Sequence, residues 1–310
     1  MKMKKASIIL MLSFIGLVSC NQHNQEQAAT EINTFIEIIE EDYELYKPNK
    51  KINAVLILFG GYPETTEGIK REFNILDLAR ENNIAVVLSK LNQKLWFEEN
   101  EKHQLGKNLQ HIIENNQLPS DNIFIGGFSS GGVLSLLISN YMLGEKEFHI
   151  DPKGVFIVDS PIDLTALYNA SEKNIKRNFS EVSVKESTWL IENLELNFGT
   201  PKKNIKNYES KAVFTYQTNH TANLSNLKNT SIRLYTEPDT AWWKKNRMAD
   251  YDQMNAFYIK KLAESLKEKG FKNIEYIPTK NKGYRANGER HPHSWAIVNK
   301  RDLINWILGM

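Results

Sequence analysis

A serine flanked by glycines, in the run GGFSSGG at residues 126–132, is the feature that most constrains the fold of this 310-residue chain. An apolar, strand-like stretch precedes the run, and an apolar, helix-like stretch follows it. The order strand, G-x-S-x-G turn, helix predicts that the Ser129 hydroxyl projects from the end of a sheet strand, where a base can reach it. Gly127 and Gly131 are required because side chains there would collide with the strand and the helix.

The rest of the first half alternates between buried strands and amphipathic helices. The stretch at residues 51–59 is almost continuously apolar, which is typical of a strand covered on both faces. This alternation predicts a mostly parallel sheet with helices on both faces, and functional side chains at the carboxyl ends of its strands. The predicted strands are 51–59, 84–88, 122–126 and 154–159, and the predicted helices are 67–81, 101–115 and 130–143.

The second half contains a stretch that breaks this order. Residues 161–230 are rich in Asn, Lys, Glu and Ser with scattered aromatics, and we interpret them as a cap-like insertion of helices. An ordinary set of connecting helices is the alternative. Regular order then returns, with predicted strands at 231–236 and 273–278, predicted helices at 250–269 and 297–308, and one or two further strands within 34–46.

A serine hydroxyl is a poor nucleophile at neutral pH, so it needs a histidine base and an acid that orients the histidine. Glu237 and Asp239 follow the strand at 231–236, and His293 lies between the last predicted strand and the last helix. The chain order serine, acid, histidine can therefore be filled. His291 is an alternative to His293, and Asp159 or Asp163, near the end of an earlier strand, are alternative acids.

From about residue 50 to its end, the chain resembles the α/β-hydrolase family. The residues that carry the resemblance are the serine turn, the Glu-Pro-Asp sequence at 237–239 and the His-Ser-Trp sequence at 293–295. The resemblance implies an α/β fold in which Ser129 is the nucleophile, His293 the base and Asp239 the acid, with Glu237 as the alternative acid. The family's acid loop usually has glycine where this chain has Thr236.

An oxyanion hole needs two N–H donors aimed at the developing negative charge. The residue after the nucleophile, Ser130, is expected to supply one of them. The other is expected from the turn after the strand at 51–59. Gly61 is the preferred donor there, and Tyr62 is the second choice.

The first twenty residues have the pattern of a bacterial lipoprotein signal. Residues 1–5 are basic, residues 6–18 are apolar, and Leu-Val-Ser-Cys at 17–20 matches the lipobox. Cys20 is the only cysteine in the chain, so it is the predicted site of lipidation. We expect a signal peptide at 1–19, a lipidated polar tether at 20–30 and one α/β-hydrolase domain at 31–310. The predicted location is the bacterial cell envelope, with lipid as the membrane anchor.

Charge and composition exclude other classes of protein. Residues 1–19 contain three lysines and no acidic residue, so the remainder holds 36 basic and 37 acidic residues. Such a balance argues against nucleic-acid binding, and no zinc-type cysteine spacing is present. The chemistry of a serine nucleophile needs no cofactor.

The sequence therefore predicts a membrane-anchored serine hydrolase that acts on a small-molecule ester, thioester or amide, with carboxylic esters favoured over peptides. The alternative is a catalytically silent, hydrolase-like lipoprotein that binds a ligand or partner.

Overall fold

The computed structural model describes residues 34–91 and 94–310. The predicted signal peptide, the tether and Cys20 lie outside these residues. The described chain forms one eight-stranded sheet in the order β1-β2-β4-β3-β5-β6-β7-β8. The strands are β1 (Phe35–Ile39), β2 (Tyr43–Pro48), β3 (Ala54–Phe59), β4 (Ile84–Ser89), β5 (Ile123–Phe128), β6 (Pro152–Val158), β7 (Ser231–Thr236) and β8 (Asn273–Pro278).

The sheet is mostly parallel, as the sequence predicts. The first two strands pair antiparallel, β2 pairs antiparallel with β4, and all later neighbours are parallel. The helices are α1 (Thr66–Phe73), α2 (Leu76–Glu81), α3 (Glu99–Asn115), α4 (Ser130–Gly144), α5 (Leu164–Arg177), α6 (Glu181–Phe198), α7 (Pro201–Glu209), α8 (Thr240–Arg247), α9 (Asn255–Glu268) and α10 (Lys300–Leu308).

Apolar side chains from the two faces of the sheet form separate core clusters. Helices α3, α4 and α9 cover one face, and α1, α2 and α10 cover the other. Every residue of β3 and β4 is buried, which explains why their sequences are continuously apolar. The central strands are thus held between two layers of helices, and their carboxyl ends form one edge.

Three helices, α5 to α7, lie between β6 and β7, within the stretch predicted as an insertion. They share a small apolar cluster of their own, which includes Leu164, Tyr168, Leu194 and Tyr208. Within residues 34–91 and 94–310, no helix is both long and apolar enough to cross a membrane.

Candidate active site

Ser129 occupies the turn between β5, which ends at Phe128, and α4, which begins at Ser130. Its backbone has φ 52° and ψ −124°, a conformation that costs a non-glycine residue about 1–3 kcal/mol. The Ser129 N–H donates to the Val158 carbonyl at 2.9 Å, which fixes the turn to the neighbouring strand. The serine therefore sits on a strained strand-to-helix turn at the carboxyl edge of the sheet.

The prediction that a side chain at Gly127 or Gly131 would collide with neighbouring elements is confirmed. A Cβ atom on Gly131 would lie 2.2 Å from the Phe59 carbonyl oxygen. A Cβ atom on Gly127 would lie 2.2 Å from the Gly131 carbonyl carbon. Both obstacles are backbone atoms that cannot rotate away, so the turn can form only with glycine at these positions.

His293 reaches the same edge from the loop between β8 and α10. Its ring packs against the Phe128 ring with centroids 4.5 Å apart, directly beside the serine turn. Its Nδ1 atom lies 2.7 Å from Oδ2 of Asp159. A histidine held through Nδ1 keeps Nε2 for proton transfer, which is the arrangement that a general base requires.

Asp159, rather than Asp239, supplies the carboxylate at His293. It follows the last residue of β6 and has φ 46°, in the left-handed region that disfavours non-glycine residues. The Thr236 hydroxyl donates to its Oδ1 at 2.7 Å, and the Asn255 side chain donates to its carbonyl at 2.8 Å. Only 4% of Asp159 is exposed, so the Thr236 hydroxyl and His293, rather than solvent, orient its carboxylate.

The predicted acids are occupied elsewhere, so the prediction that Asp239 orients His293 is wrong. Oδ1 of Asp239 accepts the Trp242 N–H at 2.9 Å and caps α8, and its Oδ2 accepts from Arg290 at 2.6 Å. Glu237 is buried and accepts from Arg290 and from the Lys282 and Gly283 N–H groups. Both carboxylates stabilise the loop structure around Arg290.

The alternatives Asp163 and His291 have structural partners of their own. Asp163 caps α5, with its Oδ1 accepting the N–H groups of Thr165 and Ala166. The Nδ1 atom of His291 lies 3.0 Å from the carbonyl oxygen of His293, and the ring packs against Trp242 at a centroid distance of 4.7 Å. Burial, followed by the positive charge of Arg285, lowers the pKa of His291 to about 4.

The N–H groups predicted for the oxyanion hole do not all face the serine. Gly61 packs so closely that a Cβ there would lie 2.9 Å from Cβ of Ser129, but its N–H donates to the Glu64 carboxylate at 3.2 Å. The N–H of Tyr62 instead donates to Oγ of Ser130 at 2.9 Å. The N–H beside the start of α4 is thus that of Tyr62, the second choice, and the choice between the two donors stays a prediction.

Glu64 is a member of this site that the sequence analysis missed. Its carboxylate accepts Nε1 of Trp295 at 3.0 and 3.2 Å as well as the Gly61 N–H. Trp295 in turn packs against Phe128, with ring centroids 5.5 Å apart. Burial raises the pKa of Glu64, while these hydrogen bonds and the nearby His293 oppose the increase. The carboxylate thus connects the turn after β3 to the histidine loop.

No charge cluster in the described part of the chain suggests a metal centre. In residues 34–91 and 94–310, no group of three His, Cys, Asp or Glu side chains could hold a metal ion. The ring centroids of His291 and His293 lie 6.3 Å apart. His293 contacts Asp159, whereas His291 packs on Trp242.

Comparison with known proteins supports the fold. No family profile and no curated protein matches the sequence. The fold is similar to that of fungal esterases from Rhizomucor miehei (16% identity, TM-score 0.53, covering 88% of this chain and 81% of that one). It is also similar to carboxyl esterase 2 from Tuber melanosporum (17% identity, TM-score 0.51, covering 92% of this chain and 87% of that one). A third similar structure is the Francisella virulence factor BioJ (16% identity, TM-score 0.51, covering 90% of this chain and 85% of that one). The protein therefore has the α/β-hydrolase fold.

Proposed function

We propose that this protein is a serine hydrolase that cleaves carboxylic esters through Ser129, His293 and Asp159. The observation that carries the proposal is the 2.7 Å contact between Nδ1 of His293 and Asp159, at the edge of the sheet where Ser129 sits on its strained turn. A structural ion pair alone would not need a serine with φ 52° beside it.

The proposed reaction follows from these positions. Nε2 of His293 takes the Ser129 proton as Oγ attacks the ester carbonyl carbon, and a tetrahedral intermediate forms. His293 then gives that proton to the departing alkoxide as the carbon–oxygen bond breaks. Nε2 next takes a proton from water as the water oxygen attacks the acyl carbon, and it returns this proton to Oγ of Ser129 as the acyl–serine bond breaks and the carboxylic acid leaves. Asp159 holds the tautomer and stabilises the imidazolium without taking the proton.

The negative charge of the intermediate requires donors beside Ser129. Ser130 is the first residue of α4, so its N–H has no intrahelical partner and lies at the positive end of the helix dipole. The Tyr62 N–H, which in the free protein donates to the Ser130 hydroxyl, is the second donor in this proposal. Loss of one such donor typically costs about 10²–10³ in kcat.

Ester substrates are favoured by the structural comparison, because the proteins of similar fold include esterases.

The test is hydrolysis of p-nitrophenyl butyrate by the wild-type protein and by Ser129→Ala. We expect the variant to remain folded and to lose kcat by roughly 10⁴ or more, since a triad acts as a unit. Ser120→Ala, at an exposed serine in the loop before β5, is the control and is expected to keep wild-type activity. Equal activity of wild type and a folded Ser129→Ala would refute the assignment.

We also propose that Cys20 anchors the protein to a bacterial membrane. The proposal rests on the lipobox at 17–20 and on the lack of any other cysteine in the chain. Two or more acyl chains give stable anchoring, whereas one is marginal. Cys20→Ser is expected to move the protein out of the membrane fraction or to leave its signal uncut. Recovery of this variant in the membrane fraction with a cleaved signal would contradict the proposal.

A further inference from the structure

A cleft of about 820 Å³ opens beside Ser129. This volume is in the upper part of the range for small-molecule sites, and it is far more than an acetyl group needs. Its lining comes mainly from helix α6, the turn after β3 and the loop before α3. The apolar lining consists of Pro63, Leu95, Trp96, Pro161, Leu167, Leu190 and Leu194, together with Tyr62, Val182 and Trp189.

Two aromatic side chains present flat surfaces inside this cleft. Tyr62 and Trp189 lie nearly parallel, with an interplanar angle of 7° and ring centroids 6.0 Å apart. Tyr62 is 60% exposed and Trp189 is 50% exposed, although large aromatic rings usually bury most of their surface. The two rings stack on each other, so one face of each is covered, and the exposed half of Trp189 is the surface of the cleft left for a further planar group.

The position of the cleft indicates which half of an ester would occupy it. The leaving group receives its proton from His293, so it must lie on the histidine side of the reacting carbon. Among the described residues, the cleft is lined by Ser129, Ser130 and Tyr62 but not by His293. The group in the cleft is therefore the acyl group, which stays attached to Ser129 after the alcohol leaves.

The charges around the cleft disfavour an anionic acyl group. Its two lysines are both paired, Lys94 with Glu101 and Lys185 with Glu181. Glu98 is paired with Lys211, and Glu186 adds negative charge to the same lining. A carboxylate or phosphate on the acyl group would meet repulsion here and would have to compete for lysines that glutamates already hold.

We propose that the cleft binds a neutral, planar aryl acyl group stacked against Trp189, which makes Trp189 the residue that determines acyl specificity. This inference rests on the proposed function, because it assumes that Ser129 becomes acylated. The expected substrates are esters of arylalkanoic acids. A saturated ring of the same size would fill the same volume without matching the flat indole face.

The test compares methyl 3-phenylpropanoate with methyl 3-cyclohexylpropanoate, whose acyl groups have the same carbon skeleton and whose leaving group is identical. The wild-type protein is expected to favour the phenyl ester by about fivefold or more in kcat/KM, as expected for an added aromatic contact. Trp189→Leu keeps an apolar side chain but removes the planar ring. In this variant the ratio of kcat/KM for the phenyl ester to that for the cyclohexyl ester is expected to fall to about 1, mainly through KM. Trp189→Phe retains a plane and is expected to keep part of the preference.

Leu196→Ala is the matched control, because Leu196 lies on the same helix, is 85% exposed and is not among the residues that line the cleft. It is expected to leave the ratio unchanged. A fluorophosphonate probe separates this inference from the proposed function, since absence of labelling at Ser129 refutes the function itself. If Ser129 is labelled but the wild-type ratio is near 1, or if the preference survives in Trp189→Leu, the aryl specificity is refuted.

Discussion

At the scale of single residues, two aspartates at the ends of adjacent strands, β6 and β7, have different tasks. Asp239 has both carboxylate oxygens engaged, one by the first turn of α8 and one by Arg290. Asp159 has one oxygen held by the Thr236 hydroxyl and the other at His293. Thr236, at the position where the family's acid loop usually has glycine, therefore orients Asp159 at the end of the neighbouring strand.

Substitution of these acids distinguishes the two roles. Asp159→Asn is expected to lower kcat by about 10³–10⁴, because the amide no longer stabilises the imidazolium or fixes its tautomer. Asp239→Asn and Glu237→Gln are the matched controls, with kcat expected within about tenfold of wild type. Asp239→Asn is expected to lower the free energy of unfolding by less than about 1 kcal/mol, because asparagine caps a helix as well as aspartate does and only the charge facing Arg290 is lost. A crippled Asp239→Asn beside an active Asp159→Asn would reverse the assignment.

At the scale of elements, the turn after β3 is held in place by a carboxylate that belongs to the same turn. Glu64 accepts the Gly61 N–H and Nε1 of Trp295, which packs on Phe128 next to Ser129. The turn that carries the Tyr62 N–H is therefore attached to the loop that carries His293. We regard Glu64 as a positioning residue, because it acts through these neighbours.

Glu64→Ala leaves the Gly61 N–H and the Trp295 indole N–H without their acceptor. The expected cost is about 1–3 kcal/mol in the free energy of unfolding, measured by urea denaturation, together with a fall in kcat at unchanged KM. Glu64→Gln keeps an acceptor oxygen in the same place, so it is expected to retain most of the free energy of unfolding and most of kcat. If alanine and glutamine variants were equally active as wild type, the turn would not depend on this carboxylate.

The element boundaries also show where sequence patterns were sufficient. The strands at 231–236 and 273–278 were predicted with the bounds that β7 and β8 have, because apolar strand patterns end at polar residues. The helix predicted at 67–81 is instead two helices, since Asn74 adopts φ 45° and ends α1. The apolar residues continue across the break, so periodicity alone could not reveal it.

The site was predictable only where local sequence determines it. The glycine pattern identifies the Ser129 turn because steric exclusion acts within a few residues. The choice of Asp159 over Asp239, and of the Tyr62 N–H over that of Gly61, depends on backbone angles and on partners such as Thr236 and Glu64. Those partners come from other elements, and their contacts cannot be derived from spacing.

At the scale of the whole molecule, the sheet collects residues that are far apart in the chain. Asp159 and His293 are separated by 134 positions, yet their side chains meet because β6 and the later parallel strands end at one edge. Burial at this edge also places His291 against the Trp242 ring, and its lowered pKa is a consequence of that packing. The buried imidazole makes the stability of the fold sensitive to pH.

The sign of this dependence follows from linkage. With a pKa of about 4 in the folded state against the ordinary 6.5, His291 binds fewer protons when folded, so acid favours the unfolded chain. Its contribution to stability is complete above about pH 6.5 and is lost as the pH falls towards 4, by roughly 2–3 kcal/mol. The free energy of unfolding of His291→Gln is expected to fall less than that of wild type between pH 7.5 and 4.5. Parallel pH profiles for the two proteins would contradict a buried neutral imidazole.

The most direct measurement is peptide mapping by mass spectrometry after reaction with a fluorophosphonate probe. We expect one adduct on Ser129 in the wild-type protein, none in Ser129→Ala or in denatured protein, slow labelling in Asp159→Asn and normal labelling in Asp239→Asn. An adduct on another serine, or labelling of Ser129 that is unaffected by Asp159→Asn, would contradict a nucleophile activated by His293 and Asp159.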